Sequence, residues 1–249
     1  MTEDESRAIR RISRVVVALD CGAESDRSIA EACALAQRER AEVVGLFVEE
    51  TGVEQAMGLG VVRMVTPAGG ALRDVDPPSW RRSLRALVRL RQGQLRHAAE
   101  RLHLRWSFRV EQGKLREILL RTATEVDVVV VGSVGRRQVT RDGYVVALIT
   151  HAAGMARVLE VARSLSESMG AQLAVVVWDG GLEREVGPML GAEVPLNVAT
   201  GAPSLRSALR RLPTRLVVTA PSEATTERDL DELRGALVCP LVLVHGEPG

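Results

Sequence analysis

The chain repeats itself, and an internal repeat limits its possible folds more than any composition does. Moved on by 130 positions, Val15-Val16-Val17-Ala18-Leu19 lands on Val145-Val146-Ala147-Leu148-Ile149. Without a gap, Arg27 then lands on Arg157, Ile29 on Leu159, Ala32 on Ala162, Leu35 on Leu165 and Ala41 on Ala171. Each copy reads as a short buried strand, a turn, a helix with apolar positions at helical spacing, and a second buried strand. The second strands are Glu42–Val48 and Gln172–Trp178. Another block matches at a shift of 88: Trp106 to Val110, Gly113 and Asp127 to Val131 fall on Val194 to Val198, Gly201 and Arg215 to Thr219. That block reads as strand, glycine turn, helix and strand. The change of shift, from 130 to 88, gives the first copy about 42 extra residues within Thr51 to His103.

Val-rich strands that do not alternate with polar residues imply parallel sheets covered on both faces by helices. Two divergent β-α-β-rich units are therefore expected: residues 1–138, carrying an inserted loop at about 51–80, and residues 139–249. In such sheets ligands sit beyond the carboxyl ends of strands, where the strand order reverses. The positions of interest follow Leu19, Val48 and Val131, and their counterparts Ile149, Trp178 and Thr219.

Composition narrows the function classes. Of the 249 residues 46% are hydrophobic, which supports folded domains rather than disorder, and the formal net charge is only +1. Aromatic residues make up 2%, too few to stack bases, which argues against nucleic acid as a partner. Met1 to Ser13 mixes acids and arginines with no apolar stretch, and no run nears the roughly 20 apolar residues that span a bilayer. Cys21, Cys33 and Cys239 are odd in number and share no C-x-x-C spacing. A cytoplasmic protein without a membrane span is expected. His97, His103, His151 and His245 show no metal-ligand spacing, and neither a G-x-S-x-G elbow nor a Walker A pattern is present. The expectation is no catalytic and no metal site.

The motifs themselves resemble the universal stress protein family in a tandem form. Val15-Val16-Val17-Ala18-Leu19-Asp20, followed by a polar turn holding Ser25 and an Ala-rich helix, is similar to the family's first strand ending in Asp. Val128-Val129-Val130-Val131-Gly132-Ser133-Val134-Gly135 resembles its phosphate-loop start, and Cys239-Pro240-Leu241-Val242-Leu243-Val244 its closing strand. The resemblance implies two tandem Rossmann-like units of the adenine-nucleotide alpha-hydrolase type, a role in stress response, and ATP or another adenine nucleotide as ligand. By the resemblance, Leu19, Asp20 and Val48 hold the nucleoside while Gly132, Ser133 and Gly135 meet phosphates. Protein partners or self-association, commonly as dimers, go with it. Nucleotide-binding members carry G-x-x-G, nine residues, then G-S or G-T; here Val145-Val146 stands where the third glycine belongs, with Gly143 nearby. In the second copy Thr150-His151 replaces Asp20-Cys21, and Ala220-Pro221-Ser222 replaces the loop glycines.

From the residues alone, Asp20 could equally order a turn, Val48 belong to the core and the glycines serve a left-handed turn. A nucleotide-independent adaptor acting through protein contacts is the alternative function, and an ATP-cleaving enzyme a third. Residues 79–109 carry nine arginines against Glu100, with a helix over 79–103 that has Ser79 as N-cap and an apolar stripe. That helix is either a docking face for an anionic partner or a solvated face packed on the sheet. The glycine- and proline-rich stretch Thr51 to Trp80 suits a lid, a contact arm or a mobile loop.

Overall fold

Valine runs dictate the centre of the molecule. Strands β1 (Arg14–Leu19), β6 (Val128–Val131) and β7 (Tyr144–Ile149) send alternate side chains into two separate apolar layers. Val15, Val17 and Leu19 join one layer; Val16 and Ala18 join the other. Burial on both sides explains why the strands are apolar throughout. The computed structural model describes residues 12–19, 25–50, 63–64, 73–74, 77–132, 143–178, 181–221, 233, 237 and 239–245.

The other long strands are β2 (Glu42–Glu49), β5 (Trp106–Gln112), β8 (Leu173–Trp178), β9 (Leu196–Ala199), β10 (Thr214–Thr219) and β11 (Leu241–Val244). Two-residue strands β3 (Arg63–Met64) and β4 (Arg73–Asp74) pair apart, within the inserted stretch. One nine-stranded sheet runs β5-β2-β1-β6-β11-β10-β7-β8-β9. Every pairing in it is parallel except β6 with β11, where Val131 faces Leu241 and Val128 faces Val244. The expected α/β, mostly parallel architecture is thus present, but as a single sheet with two arms. Outward from the seam the arms read β6-β1-β2-β5 and β10-β7-β8-β9. The first block contributes one strand fewer, and β11 covers the ladder groups that β6 would otherwise leave open.

On one layer lie α1 (Ser25–Glu39), α2 (Pro77–Arg101) and α4 (Met155–Met169); on the other lie α3 (Leu115–Glu125) and α6 (Gly201–Arg211). α1 and α4 end alike. Arg40 (φ 56°) and Gly170 (φ 58°) take the left-handed conformation, and the next amide reaches back, Ala41 N–H to Ala36 O and Ala171 N–H to Ser166 O, both 2.8 Å. The two helices also touch across the seam, Arg38 pairing with Glu167 at 2.6 Å and Ser164 donating to Glu39 at 3.1 Å.

The arms differ in their outer cover. The long helix α2 lays Leu84, Leu87, Leu95 and Ala99 on the first arm. It begins at Pro77 rather than at the expected Ser79 cap, because proline is at home in a first turn that needs no donor. Ser79 instead accepts from Arg82 at 3.1 Å, and the helix stops at Arg101, short of residue 103. A Cβ on Gly45 would stand 2.6 Å from both Leu95 and Phe108, so the bare backbone there is what lets α2 and β5 close in. The second arm has the fully buried Val175 at the matching place, in the same apolar layer as Val186 of the short helix α5 (Glu183–Val186) and Met189 of the 3-10 turn Gly187–Met189. Among the described residues no helix is long and apolar enough to cross a membrane.

Candidate functional site

From β1 the chain moves to β2 on one side, and β6 lies on the other. The strand order reverses there, and in sheets of this kind ligands sit beyond the carboxyl ends of the strands at such a point, here β1 and β6. Of the expected site residues, Leu19 closes β1 and is 1% exposed, and Val48, near the end of β2, is 2% exposed. Both side chains belong to the core, one in each apolar layer. Gly132 directly follows β6 and is half-buried. Asp20, Ser133 and Gly135 lie outside the described residues.

Sequence reasoning missed the residue facing Gly132. Ser28, in the first turn of α1, is 1% exposed and its hydroxyl has no hydrogen-bond partner. A Cβ on Gly132 would come within 3.2 Å of that oxygen. A buried hydroxyl without a partner costs about 1–3 kcal/mol, so it calls for an explanation. The repeat carried the signal: at a shift of 130, Ser28 takes the place of Val158, a buried core residue of α4. Glycine, orphan hydroxyl and the start of α1 are thus brought together at the end of β6. A helix start favours anions through its unpaired N–H groups and its dipole.

Beside Ser28 on α1, Arg27 pairs within the helix and also reaches across the seam. Arg27 Nε meets Glu31 Oε1 at 2.9 Å, while its Nη2 donates to the Arg215 carbonyl at 3.2 Å. Arg215 donates to the Met169 carbonyl at 3.0 Å. Burial pushes the Glu31 carboxyl above its usual range, against the pull of Arg27 and Arg215. Burial, with the nearby Glu31 charge, pushes the Cys239 thiol up to about 12; burial alone takes Cys33 to about 11. Neither thiol has the depressed pKa of a reactive cysteine.

The third-glycine position resolves differently. Val145 and Val146 lie inside β7 and are fully buried, so the phosphate loop cannot be completed there. Gly143 serves packing: a Cβ would lie 2.4 Å from the Pro213 carbonyl oxygen, which accepts from Tyr144 N–H at 2.7 Å.

At the end of the second arm, Ala220 (3% exposed) replaces Gly132 and Val158 replaces Ser28. The Thr150 hydroxyl donates to the Ala220 carbonyl at 3.4 Å and lies 2.8 Å from His151 Nδ1. Burial lowers the His151 pKa. α4 starts behind Gly154 (φ 81°), with no side-chain cap. Among the described residues no group of His, Cys, Asp or Glu is placed to hold a metal ion.

No protein-family model matches the sequence. No curated protein matches it either. Solved structures do. A universal stress protein from Archaeoglobus fulgidus DSM 4304 superposes with a TM-score of 0.56 at 11% identity, covering 94% of this chain and 97% of that one. A functionally unknown protein from Pseudomonas aeruginosa PAO1 gives 0.49 at 12% identity, with 95% and 93% covered. The cytoplasmic domain of a prokaryotic cation chloride cotransporter gives 0.49 at 9% identity, with 94% and 96% covered. The fold is the α/β fold of the universal stress protein structure.

Proposed function

We propose that the chain is a cytoplasmic regulatory protein of the universal stress type, made of two divergent copies joined near residue 138. Its first arm holds an adenine nucleotide, and its second arm serves as scaffold or partner surface. No catalytic step is assigned to it. The observation that carries the reading is the Ser28 hydroxyl, buried, unpartnered and facing Gly132 at the strand-order reversal. A phosphate oxygen beside it would give that hydroxyl an acceptor, with the α1 start favouring the negative charge. Gly132, Ser133 and Gly135 would offer backbone N–H groups and Asp20 an acceptor. Leu19 and Val48, their side chains committed to the core, would contribute backbone groups only.

A nucleotide-independent adaptor is the second reading, favoured by Val145 standing buried in β7 where a third glycine belongs. Titration calorimetry with ATP separates the two. Binding that Gly132→Val and Asp20→Ala each weaken by about 30-fold or more, roughly 2 kcal/mol, supports the nucleotide site. Ala220→Val leaves that binding unchanged. No heat, and no nucleotide carried through purification, leaves the adaptor.

A further inference from the structure

The outward side of α2 is a row of unpaired positive charge. Arg82, Arg85, Arg89 and Arg96 are all exposed and sit within about 60° of helix circumference, over about 21 Å of helix length. None of the four has a carboxylate within ion-pair distance among the described residues; Arg82 bonds only to the Ser79 hydroxyl. Elsewhere on the surface arginines pair readily, as Arg109 with Glu111 and Arg157 with Glu160 do. The buried Arg91 of the same helix, which bonds to Gln94 at 3.1 Å, marks the opposite side.

We propose that this ridge is a docking surface for the phosphodiester backbone of nucleic acid, bound without regard to base sequence. Arg82, Arg85 and Arg89, three and four apart, hold their side chains about 5–6 Å from one another, and Arg96 follows two turns on. A duplex offers a charge every 3.4 Å along each strand, so the row meets a continuous line of phosphates. Protein interfaces draw their energy from buried apolar and aromatic anchors. The ridge has none: its apolar neighbour is the lone half-exposed Leu90, because the stripe of Leu84, Leu87 and Leu95 is turned into the core. A membrane-surface helix would need that stripe facing outward. Few aromatics preclude stacking on bases but have no bearing on phosphate contacts.

The test is fluorescence anisotropy of the full chain with a labelled DNA duplex of about 20 base pairs and arbitrary sequence. Four phosphate contacts predict a salt slope near −3.6, a loss of roughly 150-fold between about 50 and 200 mM salt. Arg85→Gln/Arg89→Gln halves the slope and weakens binding at low salt by about 10-fold or more. Arg85→Lys/Arg89→Lys keeps the slope. Arg206→Gln/Arg211→Gln, an equal charge loss on exposed positions of α6, changes affinity by less than about 2-fold. The proposal is overturned by duplex binding weaker than about 100 μM at low salt, by equal losses in ridge and control variants, or by binding of phosphatidylserine vesicles in place of the duplex.

Discussion

The two arms carry the same strand order, yet the places where that order reverses are opposites. At the end of the first arm a glycine and an orphan hydroxyl face each other; at the end of the second an alanine and a valine take those places. The second is bridged from within, by Thr150 reaching the Ala220 carbonyl. One backbone plan thus supports a buried polar hydroxyl facing a glycine and, at the equivalent place, an apolar packing, with two side chains making most of the difference. The first arm keeps an unmet hydrogen-bonding demand that the second arm has removed.

Exchanging residues between the arms breaks or sharpens this contrast. The largest effect is expected from Gly45→Val, which copies Val175 into a place where even a Cβ stands 2.6 Å from Leu95 and Phe108. Overpacking of that kind costs about 3 kcal/mol, read as a melting temperature lower by about 6–12 °C. An unchanged melting temperature would mean that α2 does not pack on β2 as described.

Val158→Ser, which gives the second arm the first arm's hydroxyl, should cost about 2 kcal/mol in urea unfolding. Removing the hydroxyl from the first arm, by Ser28→Ala, should gain about 1 kcal/mol and weaken any nucleotide binding. If Ser28→Ala destabilises instead, the hydroxyl has a partner and the proposed nucleotide site loses its basis. The helix ends offer a finer comparison. Arg40→Gly should stabilise by about 1 kcal/mol and Gly170→Arg destabilise by a similar amount, since both positions are left-handed and only one holds glycine.

The smallest effect concerns pH. His151 has a folded-state pKa below its ordinary 6.5 because burial disfavours the charged ring. Above that value the ring is neutral in both states. Below it the unfolded chain binds a proton more readily, so stability falls as pH drops from about 6.5. His151→Gln should flatten urea midpoints measured between pH 7 and 5.

Much of this was legible in the residues. Runs such as Val128–Val131, with no polar alternation, pointed to both-face burial, and the shift of 88 set Ala220 in the place of a loop glycine. The shared sheet was not legible, because a run of valines does not say which distant strand it pairs with, and the β6–β11 ladder joins segments more than 100 residues apart. Ser79 looked like a cap because serine prefers caps, but Pro77 two residues earlier had already started the turn. Ser28 looked like any polar residue on an amphipathic helix until its burial was seen.

The position of β11 has a consequence for how the molecule is made. It follows every other strand in chain order, yet it occupies the middle of the sheet. On the ribosome, β6 is synthesised long before residues 241–244 emerge, and its ladder groups stay open for that whole interval. The first arm is therefore poorly suited to finish folding while the chain is still growing. Expressed as residues 1–138 alone, it would present β6 as a bare edge, inviting pairing with a second nascent chain.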